Sequence, residues 1–164
     1  MTIALLFASA SCFAQEISDH QSAIVGVWRI AEVKTVTADG ESTNSSPLPG
    51  LYIFTQDHYS AVWSTSDTPR QMYADRWQPT ADEKIAAYDS IVVNAGTYEL
   101  DESDLITKPI MARVPGFGGG KALWKYRVDG DVLYLEMFEE YTKDGIRAEW
   151  LDHVHFPIKL VRVE

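Results

Sequence analysis

His153 and His155 stand one residue apart. Were the segment extended, their imidazoles would point the same way, because side chains two apart share a strand face. Convergent imidazoles suit metal chelation, and a single one near a ligand suits proton transfer close to neutral pH. Chelation needs a third ligand. Asp152 would face the opposite side of such a strand, and Glu149 would sit about 13 Å back along the shared face. The pair therefore reads as structural or solvated, with no metal site. His153, His58, Tyr98 and Glu136 are the side chains able to act as acid and base if a bound molecule reaches them. Glu136, Glu139 and Glu140 form one acidic cluster and Asp101, Glu102 and Asp104 another. Turn signals flank both, so they read as solvated turns. Pro115-Gly116-Phe117-Gly118-Gly119-Gly120 is glycine-rich but lacks the Lys-Ser/Thr and strand-to-helix context of a phosphate loop. It reads as a mobile loop that gates whatever lies beside it. No serine sits in a Gly-x-Ser-x-Gly elbow, and no cofactor motif is present.

Composition narrows the partners. The 164-residue chain is long enough for one domain with a substantial core, and carries a net charge of −10. Nucleic-acid binding needs a basic footprint, and anionic membrane surfaces repel such a chain. Five Trp, eight Tyr and six Phe give it aromatic side chains enough either to fill a core or to line a cavity. A small apolar or aromatic molecule is the expected partner. The one cysteine, Cys12, excludes an internal disulfide framework and a cysteine zinc site.

Cys12 lies in an apolar, small-residue run over 2–14, followed by Gln15-Glu16. Residues 1–14 resemble a secretory leader cut after Ala14, too short to span a bilayer. No Lys or Arg precedes the run. A lipid-anchored cysteine is the alternative, although Ser9-Ala10-Ser11-Cys12 lacks the large aliphatic residue expected at its start. The expected organisation is a leader over 1–14, a lead-in over 15–23 and one domain over 24–164, in the periplasm or outside the cell.

The elements that would position these groups are mostly strands. Residues 24–37 alternate, with Ile24, Gly26, Trp28 and Ile30 on one face, the period of a long strand. Residues 38–50 read as a loop. Residues 51–55 and 59–64 are short strands around Gln56-Asp57-His58. Thr80 and Glu83 have capping-box spacing, and 80–90 is predicted helical, a lid or a plug under one end. Residues 91–93 and 97–100 flank Asn94-Ala95-Gly96. Residues 105–114 are extended, with Pro109 at an edge or a bulge. Residues 122–128 and 132–138 form a hairpin around Asp129-Gly130-Asp131. Residues 147–155 and 158–163 are the last strands. An antiparallel up-and-down β-barrel of about eight to ten strands with one short α-helix is the expected fold, because closure removes sheet edges. An open sandwich is the alternative.

Gly26, Trp28 and Arg162 read as a clasp: a guanidinium laid on an indole would join the first strand to the last. With these residues, Leu51-Tyr52-Ile53-Phe54-Thr55, Asp57-His58-Tyr59-Ser60, Ala95-Gly96-Thr97-Tyr98 and the 128–135 hairpin, the chain resembles the lipocalin-like domain family of bacteria and fungi, over roughly 24–163. The resemblance implies a barrel whose lumen holds an apolar ligand. It supplies no reaction. Two departures stand out: Leu105-Ile106-Thr107-Lys108 occupies the strand where the family often has a histidine, and Asp57-His58 replaces its usual Asp-Gly turn.

The aromatic positions expected to line the lumen are Phe54, Trp63, Tyr98, Trp124, Tyr126, Tyr134, Phe138 and Trp150. An eight-stranded barrel has room for about one small ligand. Three functions are compatible with this pattern: an exported carrier or sensor; an isomerase, cyclase or dehydratase whose lumen His, Tyr or Glu moves protons; and a barrel with a fully packed lumen.

Overall fold

The computed structural model describes residues 23–101 and 103–164. The leader, the lead-in up to residue 22, Cys12 and Glu102 lie outside them. The elements are β1 (Gly26–Thr37), β2 (Gly40–Asn44), β3 (Gly50–Phe54), β4 (His58–Ser64), α1 (Ala81–Asp89), β5 (Ile91–Asp101), β6 (Asp104–Ala112), β7 (Lys121–Asp129), β8 (Val132–Tyr141), a 3-10 helix (Glu149–Asp152), β9 (Val154–His155) and β10 (Ile158–Arg162).

Every pairing is antiparallel. Sheet order runs β10-β8-β7-β6-β5-β4-β3-β1, and β1 pairs back onto β10, closing an eight-stranded barrel. The long β1 projects beyond β3 and β10, and there it carries β2 on one side and β9 on the other. The open sandwich is thereby excluded.

Closure rests on the predicted clasp. Trp28 and Arg162 are register partners, and the guanidinium lies 4.0 Å from the centre of the indole. Arg162 donates from Nη1 to Val25 O and from Nη2 to Ala23 O, both at 2.7 Å. Trp28 is fully buried and donates Nε1–H to Ile24 O at 2.8 Å. Gly26 has φ +146°, and a Cβ there would fall on Arg162 Nη1 and within 2.6 Å of Glu164 O. All three residues are thus needed at one point.

Three bulges reverse the inward parity of their strands. In β1, Ile30 pairs with Leu160 but Glu32 with Lys159, so Ala31 is extra. In β6, Pro109 pairs with Gly96 and Met111 with Ala95, so Ile110 is extra, beside the proline that predicted it. In β8, Met137 pairs with Trp124 and Glu139 with Leu123, so Phe138 is extra.

Four sequence expectations change. Residues 38–50 contain β2, because the Thr37–Gly40 turn folds the chain back onto β1. Asn94-Ala95-Gly96 interrupts nothing: β5 runs through it, and the bulge is taken up opposite, in β6. Residues 147–155 are not one strand but the 3-10 helix and the two-residue β9. Helix α1 has the predicted capping box at Thr80 and Glu83 but buries no residue, so it plugs nothing. It is held from outside: Tyr88 donates its hydroxyl to Arg113 O, and Arg113 donates back to Tyr88 O.

Candidate functional site

At the end of the barrel marked by the 55–57 and 129–131 turns, Ile24, Trp28, Phe54, Tyr98 and Tyr126 are buried and close the lumen. Tyr98 meets Phe54 edge-on at 5.3 Å and donates its hydroxyl to Thr55 O at 2.7 Å. Toward the other end the lumen widens into a cavity of about 1050 Å³, reaching the rim at Ser46, Asp67 and Phe117. That is just above the range for small-molecule sites, about 300–1,000 Å³. A fully packed lumen is ruled out.

The walls are mostly apolar and aromatic: Tyr52, Phe54, Trp63, Trp124, Trp150 and Phe156 all contribute. Polar side chains also border it, among them Thr35, Ser42, Asn44, Ser64, Asp67 and Arg113, and three polar groups are hydrogen-bonded into the wall. Tyr59 donates its hydroxyl to Asn94 Oδ1. Trp124 donates Nε1–H to Thr107 Oγ1 at 3.0 Å, and Thr107 is buried. Glu140 is half-buried and accepts from Trp150 Nε1 at 3.3 Å. Burial raises the Glu140 carboxyl above its ordinary value, and the Trp150 hydrogen bond offsets that only in part. Burial likewise pushes the Tyr59 hydroxyl up, with a hydrogen bond from Thr107 opposing and the nearby Glu140 charge adding to it. Both groups favour their neutral forms more than they would in water.

Glu140 owes its place to the β8 bulge. Leu133, Leu135 and Met137 face inward on odd positions; the extra residue Phe138 then sends Glu139 outward and Glu140 inward. Glu139 pairs outside with Arg147 at 2.7 Å, and Arg147 also reaches Asp152 at 2.8 Å. That ion-pair bracket sets the 3-10 helix across the rim, placing Trp150 over Glu140 and against Phe156, ring centres 5.9 Å apart.

The sequence-predicted residues divide. Phe54, Trp63, Trp124 and Trp150 line the cavity. Tyr98 and Tyr126 are buried in the closed end instead. Tyr134 and Phe138 lie on the outer face, beneath Arg127 and Lys125. Of the acid–base candidates, none lines the cavity. His58 and His153 are exposed, Glu136 points out opposite Lys125, and Tyr98 is tied to Thr55. The imidazoles at 153 and 155 do not share a strand, since His153 ends the 3-10 helix. Among the described residues no group of three or more His, Cys, Asp or Glu is placed to hold a metal ion. The 115–120 loop is not free: Gly119 N–H bonds Pro109 O and Lys143 N–H bonds Gly116 O, at 2.7 and 2.9 Å. It contributes Phe117 to the rim.

Sequence reasoning missed Tyr59, Asn94 and Thr107, and it misplaced Glu140 in a solvated turn. In the strand where the resemblance implies a histidine, the inward positions are Leu105 and Thr107. The model of the lipocalin-like domain matches residues 25–151, most of the barrel. The chain belongs to the lipocalin-like domain family. No curated protein and no solved structure matches it. A lipocalin-like barrel with an internal cavity is suited to small-ligand binding in general. No helix among the described residues is long and apolar enough to cross a membrane.

Proposed function

We propose that this lipocalin-like protein is an exported binding protein that holds one small molecule with an apolar or aromatic body in its lumen. The observation that carries the reading is the cavity of about 1050 Å³ with three indoles in a mostly apolar wall. Transfer of an apolar body into it gains about 25 cal/mol per Å² removed from water. Export rests on the apolar run over 2–14 and the small residues before Gln15.

Three of the five tryptophans line the cavity, so binding will quench or shift their emission. The test is titration with N-phenyl-1-naphthylamine, a neutral apolar fluorophore, followed by competition with a panel of apolar compounds. Saturable one-site binding is expected, and Ala112→Trp, which fills the lumen from β6, is expected to abolish it. No saturable signal with any probe would remove the reading. Export is tested separately, by finding the chain outside the cytoplasm with its N-terminus at Gln15.

A second reading, proton-transfer catalysis in the lumen, is favoured by the raised carboxyl of Glu140 beside the Tyr59–Asn94 pair. It replaces the expected His153, His58, Tyr98 and Glu136 with Glu140 and Tyr59. Glu140→Gln leaving turnover of an identified substrate intact would eliminate it.

A further inference from the structure

We propose that the ligand is an organic amine, an ammonium group on an apolar or aromatic body, with Glu140 as its counter-ion inside the lumen. The inference rests on the lumen being a ligand site, and it adds the chemical class.

Three charged residues line the cavity: Asp67, Arg113 and Glu140. Asp67 is exposed at the rim and accepts from Asn44 Nδ2 at 3.2 Å. Arg113 is committed to α1: Nη1 donates to Tyr88 O at 2.6 Å, and its guanidinium lies 4.5 Å from the centre of the Tyr88 ring and 4.0 Å from Asp89. Of these three, Glu140 is set into the wall, and among the described residues its side chain has one hydrogen bond, from a neutral indole. Among the described residues no cation pairs with it, whereas its neighbour Glu139 has Arg147.

A carboxylate taken from water without a partner is costly, and burial accordingly raises the Glu140 carboxyl. A neutral apolar ligand would desolvate it further. An anionic ligand would add repulsion. An ammonium group offsets the desolvation with a charge-assisted hydrogen bond. The surroundings fit the same charge: Trp63, Trp124, Trp150, Tyr59 and Phe156 border the same cavity, and aromatic faces attract cations when water is excluded. The remaining volume accepts the apolar body. The net charge of −10 draws cations toward the mouth before any contact is made.

The test is isothermal titration of the protein at pH 7.5 with two matched pairs: 4-phenylbutylamine against 4-phenylbutan-1-ol, and 2-(1-naphthyl)ethylamine against 2-(1-naphthyl)ethanol. Each amine is expected to bind about tenfold or more tighter than its alcohol. Glu140→Gln is expected to remove that preference without weakening the alcohols, and Asp67→Asn to leave it unchanged. Should E140Q not fold, the wild-type ratio with D67N as control decides. Equal affinity of amine and alcohol overturns the inference and leaves the binding reading intact. A preference that survives E140Q overturns the assignment to Glu140. Failure of both pairs to bind overturns the inference together with the proposed function.

Discussion

Arg162→Ala removes the fastening at the seam of the barrel. The side chain makes two hydrogen bonds from a charged donor, to Val25 O and Ala23 O, each at 2.7 Å. Such bonds contribute about 1.5–3 kcal/mol apiece, and a cation over an indole adds about 0.5–2 kcal/mol. Their sum overstates the loss. The side chain is 25% exposed, so water reaches part of what the mutation uncovers, and the four contacts of one residue, a 3.4 Å ion pair with exposed Asp131 included, are not additive. A net cost of about 3 kcal/mol is expected, or a fall in melting temperature of about 6–12 °C for a chain this size. Arg162→Lys is the sharper variant. It keeps the charge, but one ammonium cannot reach both carbonyls and lie flat on the ring, so about 2 kcal/mol should still be lost. Urea unfolding followed by tryptophan emission reads both. A cost below about 0.5 kcal/mol for R162A, or a lysine variant as stable as wild type, would refute the claim that this clasp holds the seam.

Two further outcomes follow from buried groups. Thr107→Val leaves the buried Trp124 Nε1–H without its acceptor, so about 1–3 kcal/mol should be lost in urea unfolding, and an unchanged midpoint would contradict the bond. Burial raises the Glu140 carboxyl in the folded state, so the native protein keeps that proton to higher pH than the unfolded chain; the resulting stabilisation is complete below the ordinary value of 4.5 and is lost as pH rises through the folded value. Glu140→Gln cannot ionise, so melting curves from pH 4 to 8 should show the variant gaining on wild type as pH rises, and parallel curves would refute the shift.

The barrel was readable because its signals are local or symmetric. The Asp129-Gly130-Asp131 turn and the Thr80–Glu83 capping box each act within a few residues, and each appears in the structure; the strand expected over 24–37 appears as Gly26–Thr37, its alternation broken at Ala31. The clasp joins residues far apart in the chain, yet it was readable because a guanidinium and an indole in the terminal strands have few other ways to be satisfied together. The 147–155 segment was misread for the opposite reason. It was read as a strand between two turns, but Arg147 is held at once by Glu139 and Asp152 across the 3-10 helix.

The lumen was less readable than the wall because inward parity is a property of strand pairs, not of one strand. Along β8 the unbroken pattern Leu133, Leu135, Met137 puts the next inward side chain at Glu139. One extra residue opposite β7 substitutes Glu140. The consequence is chemical: Glu139 outside finds Arg147 and becomes an ordinary surface ion pair, while Glu140 inside finds an indole and, among the described residues, no cation. Two adjacent glutamates of identical intrinsic chemistry thus acquire opposite roles from a single unpaired residue. The same device acts at Ala31, which turns Val33 and Thr35 inward, and at Ile110, which turns Ala112 and Val114 inward. The bulges therefore select which side chains a ligand meets at the mouth. A deletion of Phe138 would restore the regular ladder yet keep Glu139 opposite Leu123 on the outer face and Glu140 opposite Ala122 in the lumen, so the amine preference measured by isothermal titration should survive it.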